Sequence, residues 1–337
     1  MATHAMELSP DAVGVADRSD GQEIIIEPRS GWQMLNLGEL WRHRELLLFF
    51  TWRDVMIRYK QTALGAAWAV LQPLMMMVVF TVFLGRMAKV DSGDLPYPVF
   101  VYAGLLPWTF FATAITRAGN SVVGALNIVD KVYFPRLVFP FASVGAAIVD
   151  FFIASTILIC LMFLYGVVPS WSILLVPGLL ALATMAALGV GTALAALNVA
   201  FRDFKYTIPF LMQIWMFATP TVYMNVEGLA QPAPGSREPV AAEESPGASS
   251  PAASSAGSTA ETANPKQEKE RGSVSPGLRA LFHLNPMTGL IAFFRAATLG
   301  GSLPWKALAY STSVIVLLFA AGLLYFRRVE SRFADII

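Results

Sequence analysis

The sequence is poor in charged residues and contains a single cysteine. Of its 337 residues, 14% are charged and 55% are hydrophobic, whereas a typical soluble domain carries about 25% charged residues. This composition excludes an ordinary soluble enzyme. Because Cys160 is the one cysteine, the chain forms no intramolecular disulfide and no cysteine-based metal or iron–sulfur site. The net charge of +1 gives no signal for binding nucleic acid or another polyanion.

Motifs for nucleotide and hydrolase chemistry are also missing. The sequence has no G-x-x-x-x-G-K-[ST] phosphate loop, and none of its lysines is followed by Ser or Thr. It has neither H-E-x-x-H nor G-x-S-x-G. We therefore expect no catalytic residue and no metal site in this chain. Any energy source lies on another chain or is an ion gradient.

Apolar residues are concentrated in six long runs. A helix needs about 20 apolar residues to cross a bilayer core about 30 Å thick. Five uncharged runs, and a sixth that contains Asp150, meet this requirement: 63–85, 95–116, 137–168, 171–201, 206–226 and 307–326. The apolar stretch 289–303, which contains Arg295, is too short and predicts a re-entrant or interfacial segment. The sequence thus predicts an all-α integral membrane protein with six transmembrane helices.

The basic residues predict the orientation of these helices. Lys and Arg near the ends of spans are retained on the cytoplasmic side. With the N-terminus inside, 15 of the 24 basic residues fall on the inner side and 9 on the outer side. Most of the outer basic residues belong to one long loop, where the rule is weak. We expect both termini to be cytoplasmic.

Two segments differ in composition from the rest of the chain. The first 30 residues lack the apolar region of a signal peptide and predict a disordered cytoplasmic tail. Of the 50 residues 227–276, 38 are Ala, Ser, Pro, Gly or Glu and none is aromatic, which predicts a disordered extracytoplasmic insertion. The other predicted regions are an interfacial helix (31–62), the first five spans (63–226), a re-entrant region (277–306), the last span (307–326) and a cytoplasmic C-terminus (327–337).

Two segments outside the spans are candidates for contact with a partner. In 40–60, apolar residues recur at helical spacing and charged residues fall largely elsewhere. Such a helix should lie flat in the cytoplasmic interface, either as an anchor or as a lever that receives force from a partner. The segment 117–136 combines polar residues with Phe134 and ends at a helix-stopping Pro135. It reads either as a short helix that docks into another subunit or as an ordinary loop.

Asp150 lies about 13 residues into the third predicted span. An ionised acid is costly there unless it faces other helices or water. It is a candidate proton relay, although no second acid or histidine accompanies it in the predicted spans. The alternative is a structural hydrogen bond or a position near a water-filled interface.

Six strings, in order along the chain, resemble one family. Residues 53–85 (RDVMIRYKQTALGAAWAVLQPLMMMVVFTVFLG) closely resemble the permeases of ATP-driven polysaccharide and polyol-phosphate exporters, the ABC-2 type transporters for O-antigen, capsule or teichoic acid. The other matching strings are NIVDKVYFPRLVFPFASV (127–144), NVAFRDF (198–204), FATPTVY (217–223), LNPMTGLIAFFRAATLG (284–300) and FRRVESRFADII (326–337). The resemblance covers nearly the whole chain from about Ile26, apart from the insertion.

The resemblance implies a function. It implies a homodimer of six-span permeases in the bacterial inner membrane, bound to two ATP-binding subunits that carry ATP and Mg²⁺. The dimer would move a lipid-linked polysaccharide outward through a channel between the permeases. It further implies that 284–300 forms paired re-entrant helices near the outer face. Alternatives are a proton-coupled secondary transporter that uses Asp150, and an ABC-2 exporter of another lipid or a drug.

The resemblance also assigns residues to roles. Those implied to contact the ATP-binding subunits are Arg53, Arg58, Lys60, Asn127, Lys131, Phe134, Arg136, Arg202 and Asp203. Aromatic residues near the predicted outer ends could stack on sugars or form an interfacial belt: Tyr97, Trp108, Phe111, Trp215 and Tyr223. The insertion after Val226 departs from the family pattern.

Overall fold

Helices make up the regular structure of the described chain. A computed structural model describes residues 37–60, 67–90, 95–125, 135–201, 203–219, 222 and 285–330. These residues form nine α-helices and no strand: α1 (Leu37–Arg42), α2 (Arg44–Lys60), α3 (Ala67–Phe80), α4 (Tyr97–Gly124), α5 (Val138–Leu164), α6 (Val176–Ala200), α7 (Phe204–Phe217), α8 (Pro286–Leu299) and α9 (Trp305–Glu330). A π-helix (Thr81–Met87) continues α3, and a 3₁₀-helix (Trp171–Leu175) precedes α6.

Five helical stretches within the described residues are long and apolar enough to cross a membrane. They are Ala67–Met87, Tyr97–Gly124, Val138–Leu164, Trp171–Ala200 and Trp305–Glu330. Each overlaps one of the predicted spans. These helices confirm the prediction of an all-helical, multi-pass membrane protein.

The second span is longer than the sequence predicts. The apolar run ends at Thr116, but α4 continues for eight more residues to Gly124. Arg117 therefore lies within the helix, where its charge is paired with that of Asp150. The first residues of the predicted short helix 117–136 consequently belong to α4, and residues 126–134 lie outside the described part of the chain.

Contacts between helix ends show that α5 runs in the direction opposite to α4, α6 and α9. The last turns of α4, α6 and α9 pack together with the beginning of α5 through a cluster of Val122, Leu137, Ala195, Leu323 and Phe326. At the other end, the rings of Phe293 in α8 and Trp305 in α9 lie 4.9 Å apart. The first end also carries Arg136, which binds the end of α9, together with Arg327 and Arg328 of α9, and we call it the basic end.

Helix α4 occupies the centre of the bundle. It packs against α3, α5, α6, α7 and α8, and most of its side chains are buried. Its Tyr102 hydroxyl donates a hydrogen bond to the Ala154 carbonyl oxygen of α5 at 3.0 Å. Because α4 contacts nearly every other long element, a displacement of α4 must also shift the helices packed against it.

Helices α6 and α9 cross at unusually short distance. A Cβ atom placed on Gly322 would lie 1.8 Å from the Gly189 carbonyl oxygen, and one placed on Gly189 would lie 2.7 Å from the backbone of Phe319. Two glycines facing each other allow the backbones of the two helices to touch, as small residues do in many membrane helix pairs.

The fifth predicted span, 206–226, is not one long helix. Helix α7 has 14 residues and ends at Phe217, which is about 21 Å at 1.5 Å per residue. Pro220 follows in the sequence, and a proline just beyond a helix end cannot continue it. Because the residues on both sides of Phe217 are uncharged and mostly apolar, the length of the apolar run did not reveal where the helix ends.

A second half-length helix follows α7 along α4. Trp215 of α7 packs against Phe111 of α4 with ring centroids 5.3 Å apart, and Arg295 of α8 lies 3.7 Å above the Phe100 ring. Since Phe100 lies three helical turns before Phe111, α7 and α8 contact successive parts of α4. Helix α8 corresponds to the short apolar stretch predicted at 289–303. The predicted insertion 227–276 lies outside the described residues.

Candidate coupling and transport site

Helix α2 packs along the first half of α5. The Phe50 and Phe139 rings are 5.2 Å apart, the Thr51 hydroxyl donates to the Ala142 carbonyl oxygen at 3.4 Å, and the Ser143 hydroxyl donates to Asp54 Oδ2 at 3.2 Å. The contacts thus advance along both helices in the same direction.

This packing gives the direction of α2 relative to α5, and the flat placement in the membrane interface stays a prediction. A helix that follows α5 over several contacts is inclined with α5 rather than perpendicular to it. Leu48, Phe49 and Trp52, each more than 60% exposed, give α2 a second apolar face outside its contact with α5. The sequence pattern correctly predicted a helix, but tertiary packing decided its direction.

Three helices meet at Asp150. Arg58 of α2 donates from Nη1 to Asp150 Oδ2, and Arg117 of α4 reaches the same oxygen from Nη2 at 3.0 Å. The Tyr59 hydroxyl of α2 donates to Asp150 Oδ1. We call these four residues the Asp150 cluster. It joins α2, α4 and α5 about midway along α5, which runs from Val138 to Leu164.

The cluster is only partly exposed to solvent. The exposed side-chain fraction is 13% for Asp150, 25% for Arg58 and 26% for Arg117. A carboxylate in a membrane helix is costly unless it is paired and hydrogen-bonded, and these contacts meet that requirement. Burial, together with the hydrogen bond to Asp150, raises the pKa of the Tyr59 hydroxyl, so Tyr59 keeps the proton that it donates.

A small cavity adjoins the cluster between α3, α4 and α5. Arg58 and Asp150 lie at its wall beside Gln72, Thr109 and Thr113, and the remaining lining is apolar. Polar side chains at one end can bind water, whereas the apolar wall cannot. The structural alternative for Asp150, hydrogen bonding within the protein, is the one that these contacts support.

The other residues implied to contact ATP-binding subunits have different surroundings. Arg53 forms an ion pair with its neighbour Asp54 at 2.9 Å and lies over the Phe50 ring at 4.7 Å. Lys60 and Asp203 are exposed at helix ends. Asn127, Lys131, Phe134 and Arg202 lie outside the described residues. Their assignment to the partner interface stays a prediction.

Arg136 binds within the chain. Its backbone N–H donates to Glu330 Oε1 at 3.2 Å, and its Nη1 donates to the Glu330 carbonyl oxygen at 2.9 Å. A guanidinium at the C-terminal end of a helix satisfies an unpaired carbonyl and stabilises the helix dipole. Charge reversal at Arg136 would therefore disturb the end of α9 as well as any partner contact.

The aromatic residues proposed for sugar contact take part in helix packing. Trp108 and Phe111 are 3% and 0% exposed, and their rings are 5.8 Å apart. Tyr97 stacks on Phe100 at 6.2 Å, and Tyr223 lies outside the described residues. Contact between a sugar and Trp108 or Phe111 requires the surrounding helices to separate, so that role stays a prediction.

Asn285 joins the two half-length helices α7 and α8. Its Nδ2 donates to Thr219 Oγ1 at 2.7 Å and to the Ala218 carbonyl oxygen at 3.3 Å. Its Oδ1 accepts from Trp215 Nε1 at 3.2 Å and from the Met287 backbone N–H at 3.1 Å. One side chain thus caps the beginning of α8 and binds the end of α7.

Arg295 fixes the second half of this junction. Its Nη2 donates to the Val222 carbonyl oxygen at 3.1 Å, and the guanidinium lies over Phe100. The side chain is 8% exposed in the described structure. A buried guanidinium with a carbonyl acceptor and an aromatic face ties α8 to α4 and to the chain that follows α7.

The sequence analysis missed the roles of Arg117 and Asn285. Arg117 follows the apolar run directly and was counted as a loop residue. The signal that could have identified it is the cost of an unpaired acid, since Asp150 requires a basic partner at similar depth. Asn285 precedes Pro286, and Asn followed by proline at the first helical position is a helix-start signal.

Comparison with known proteins identifies the family. Residues 45–227 match the family described as ABC-2 type transporter, which is more than half of the 337-residue chain. The chain therefore belongs to the ABC-2 type transporter family. The match includes α2, the Asp150 cluster and the helices through α7.

Individual relatives are permeases of polysaccharide export systems. The chain is 30% identical over 185 residues to the O-antigen export system permease protein RfbA of Myxococcus xanthus, covering 55% of this chain and 70% of that protein. It is 29% identical over 191 residues to RfbA of Klebsiella pneumoniae, covering 56% and 72%. It is 23% identical over 175 residues to the polysialic acid transport protein KpsM of Escherichia coli, covering 48% and 63%. The predicted family is confirmed.

Proposed function

We propose that this chain is the permease subunit of an ABC exporter that moves a lipid-linked, O-antigen-like polysaccharide outward across the bacterial inner membrane. The observation that carries the proposal is its similarity over 185 residues to an O-antigen export permease. Its membrane-crossing helices and its family membership agree with a transport role.

The proposed assembly contains two copies of this chain and two ATP-binding subunits. ATP and Mg²⁺ bind to the ATP-binding subunits, because the sequence of this chain contains no phosphate loop. The permease itself is not an enzyme. The polysaccharide passes through a channel between the two copies.

Motion of the ATP-binding subunits drives the channel between its states. ATP binding and hydrolysis change the separation of these subunits, and the helices at the basic end receive the displacement. Helix α2 suits this role because it is attached directly to α5 and through Asp150 to α4. The segment 126–134, which includes Lys131, is the second contact.

Export in cells tests this function. In a strain that lacks the chain, the wild-type gene should restore surface polysaccharide, measured by periodate oxidation and hydrazide labelling of intact cells. An inactivating lysine substitution in the phosphate loop of the ATP-binding subunit should abolish the restored signal. Restoration that persists without ATP hydrolysis would contradict the proposal.

The alternative function is a proton-coupled transporter in which Asp150 carries the proton. A proton carrier at this position would have to release Arg58, Tyr59 and Arg117 in each cycle, because all three bind its carboxylate. We expect the Asp150→Asn variant to lower export while the remaining export stays independent of the pH gradient. The measurement is polysaccharide export in inverted vesicles with and without a protonophore. Wild-type export that the protonophore abolishes would favour the alternative.

A further inference from the structure

We infer that the Asp150 cluster is the mechanical connection by which a displacement of α2 reaches the central helix α4. In this role Arg58, Asp150 and Arg117 are positioning residues that make α2, α5 and α4 move together. The inference rests on the proposed function, because it concerns how ATP hydrolysis elsewhere is coupled to transport.

The geometry of the cluster supports a connection in two steps. Arg58 and Arg117 come from different helices and bind the same oxygen, Asp150 Oδ2. Asp150 itself belongs to the helix between them. The first step therefore joins α2 to α5, and the second joins α5 to α4.

The second step reaches the two half-length helices α7 and α8 through α4. Helix α4 carries Phe111 and Phe100, which contact Trp215 of α7 and Arg295 of α8. These two half-length helices are joined through the side chains of Asn285 and Arg295 rather than by a continuous helical backbone. A displaced α4 therefore acts on the junction of α7 and α8 through Phe111 and Phe100.

Burial makes the ionic contacts suitable for this task. Exposed ion pairs contribute little because water and salt screen them, whereas removing one partner of a largely buried pair is costly. With 13% of its side chain exposed, Asp150 belongs closer to the second case. Coupling between two sites is a free energy that depends on the contacts joining them. The connection can therefore be tested by breaking each step separately.

The chain offers a covalent substitute for the first step. A Cβ atom on Gly145 would lie 3.7 Å from Thr51 Cβ, close to the separation of about 3.8 Å found in disulfides. Thr51→Cys with Gly145→Cys, in a Cys160→Ser background, should form a disulfide that locks α2 to α5. As a control, Phe49→Cys with Gly145→Cys should not cross-link, because Phe49 is two residues away, about 200° around the helix.

The complex with the ATP-binding subunit is reconstituted in lipid vesicles for this experiment. Polysaccharide export is also measured in cells. The measured quantity is export relative to ATP hydrolysis, under oxidising and reducing conditions. Arg58→Gln and Arg117→Gln should each lower this ratio on the order of tenfold, within the range of allosteric couplings. Lys306→Gln, an exposed position at the start of α9, is the control for loss of one positive charge.

The disulfide between positions 51 and 145, which we call the lock, distinguishes the two steps. Oxidation should restore the ratio in Arg58→Gln, because the disulfide replaces the lost ion pair between Arg58 and Asp150 as an attachment of α2 to α5. It should leave Arg117→Gln uncoupled, because the ion pair between Arg117 of α4 and Asp150 of α5 is still missing. Recovery of coupling by Arg117→Lys, together with normal copurification of the ATP-binding subunit, would separate this effect from misfolding.

Three outcomes would overturn the inference. Export lost on oxidation with all charges intact would show that α2 and α5 must separate during transport. The cluster would not act in two steps if the lock failed to restore the ratio of export to ATP hydrolysis in Arg58→Gln. The same conclusion would follow if the lock restored this ratio equally in Arg117→Gln. In contrast, a wild-type complex that neither hydrolyses ATP nor exports polysaccharide would contradict the proposed function itself.

Discussion

Asn285 shows how much one side chain can contribute when it binds the ends of two helices. Its amide donates to the end of α7, and its carbonyl oxygen accepts from the first turn of α8. Each of these groups would otherwise lack a partner at a helix end, where backbone groups have none within the helix. The residue thus joins the ends of two helices that are about 70 residues apart in the sequence.

Substitution of Asn285 should destabilise this junction. Asn285→Ala removes a helix cap and leaves buried donors without acceptors, which costs about 1–3 kcal/mol. Asn285→Ser retains a capping oxygen and should be less destabilising. The measurement is the thermal unfolding temperature of the purified protein, followed by tryptophan fluorescence. Equal unfolding temperatures for Ala and wild type would contradict the assigned role.

At the level of helices, the sequence predicted long spans well and short ones poorly. The runs at 63–85, 137–168, 171–201 and 307–326 became long helices with nearly the predicted bounds, because length and hydropathy alone define them. The run 206–226 concealed a break after Phe217. Helix α7 can be short because Asn285 and α8 complete the layer along α4, and that depends on residues far away in sequence.

The crossing of α6 and α9 gives a prediction with a matched control. Gly322→Ala would place a Cβ atom within 1.8 Å of the Gly189 oxygen, so the helices must separate, at a cost of about 1–3 kcal/mol. Gly178→Ala, also in α6, meets no atom within 4 Å and should cause no loss. The unfolding temperatures of both variants in the same detergent measure the difference. A Gly322→Ala variant as stable as Gly178→Ala would refute the close crossing.

At the level of the whole molecule, the basic end brings together charges that are scattered in sequence. Arg136 precedes α5 and binds the end of α9, whose last turn carries Arg327 and Arg328. Because basic residues are retained on the cytoplasmic side, this end should face the cytoplasm. The junction of α8 with α9 should then face outward.

Cysteine accessibility tests this orientation. In a Cys160→Ser background, Ser302→Cys lies between α8 and α9 and should react with a membrane-impermeant maleimide in intact spheroplasts. Arg42→Cys, at the end of α1, should react only after the membrane is permeabilised. Both positions are exposed, so burial does not explain a difference between them. Labelling with the opposite pattern would reverse the orientation.

The sequence by itself determined the class of protein, the long spans and the family, because these follow from composition, apolar length and ordered motifs. It identified Asp150 as an unusual residue but could not name its partners. The tertiary structure decided that Arg58, Tyr59 and Arg117 converge on it, that α2 follows α5, and that α7 and α8 meet at Asn285. Each of these contacts joins residues distant in sequence, and their positions depend on how whole helices pack.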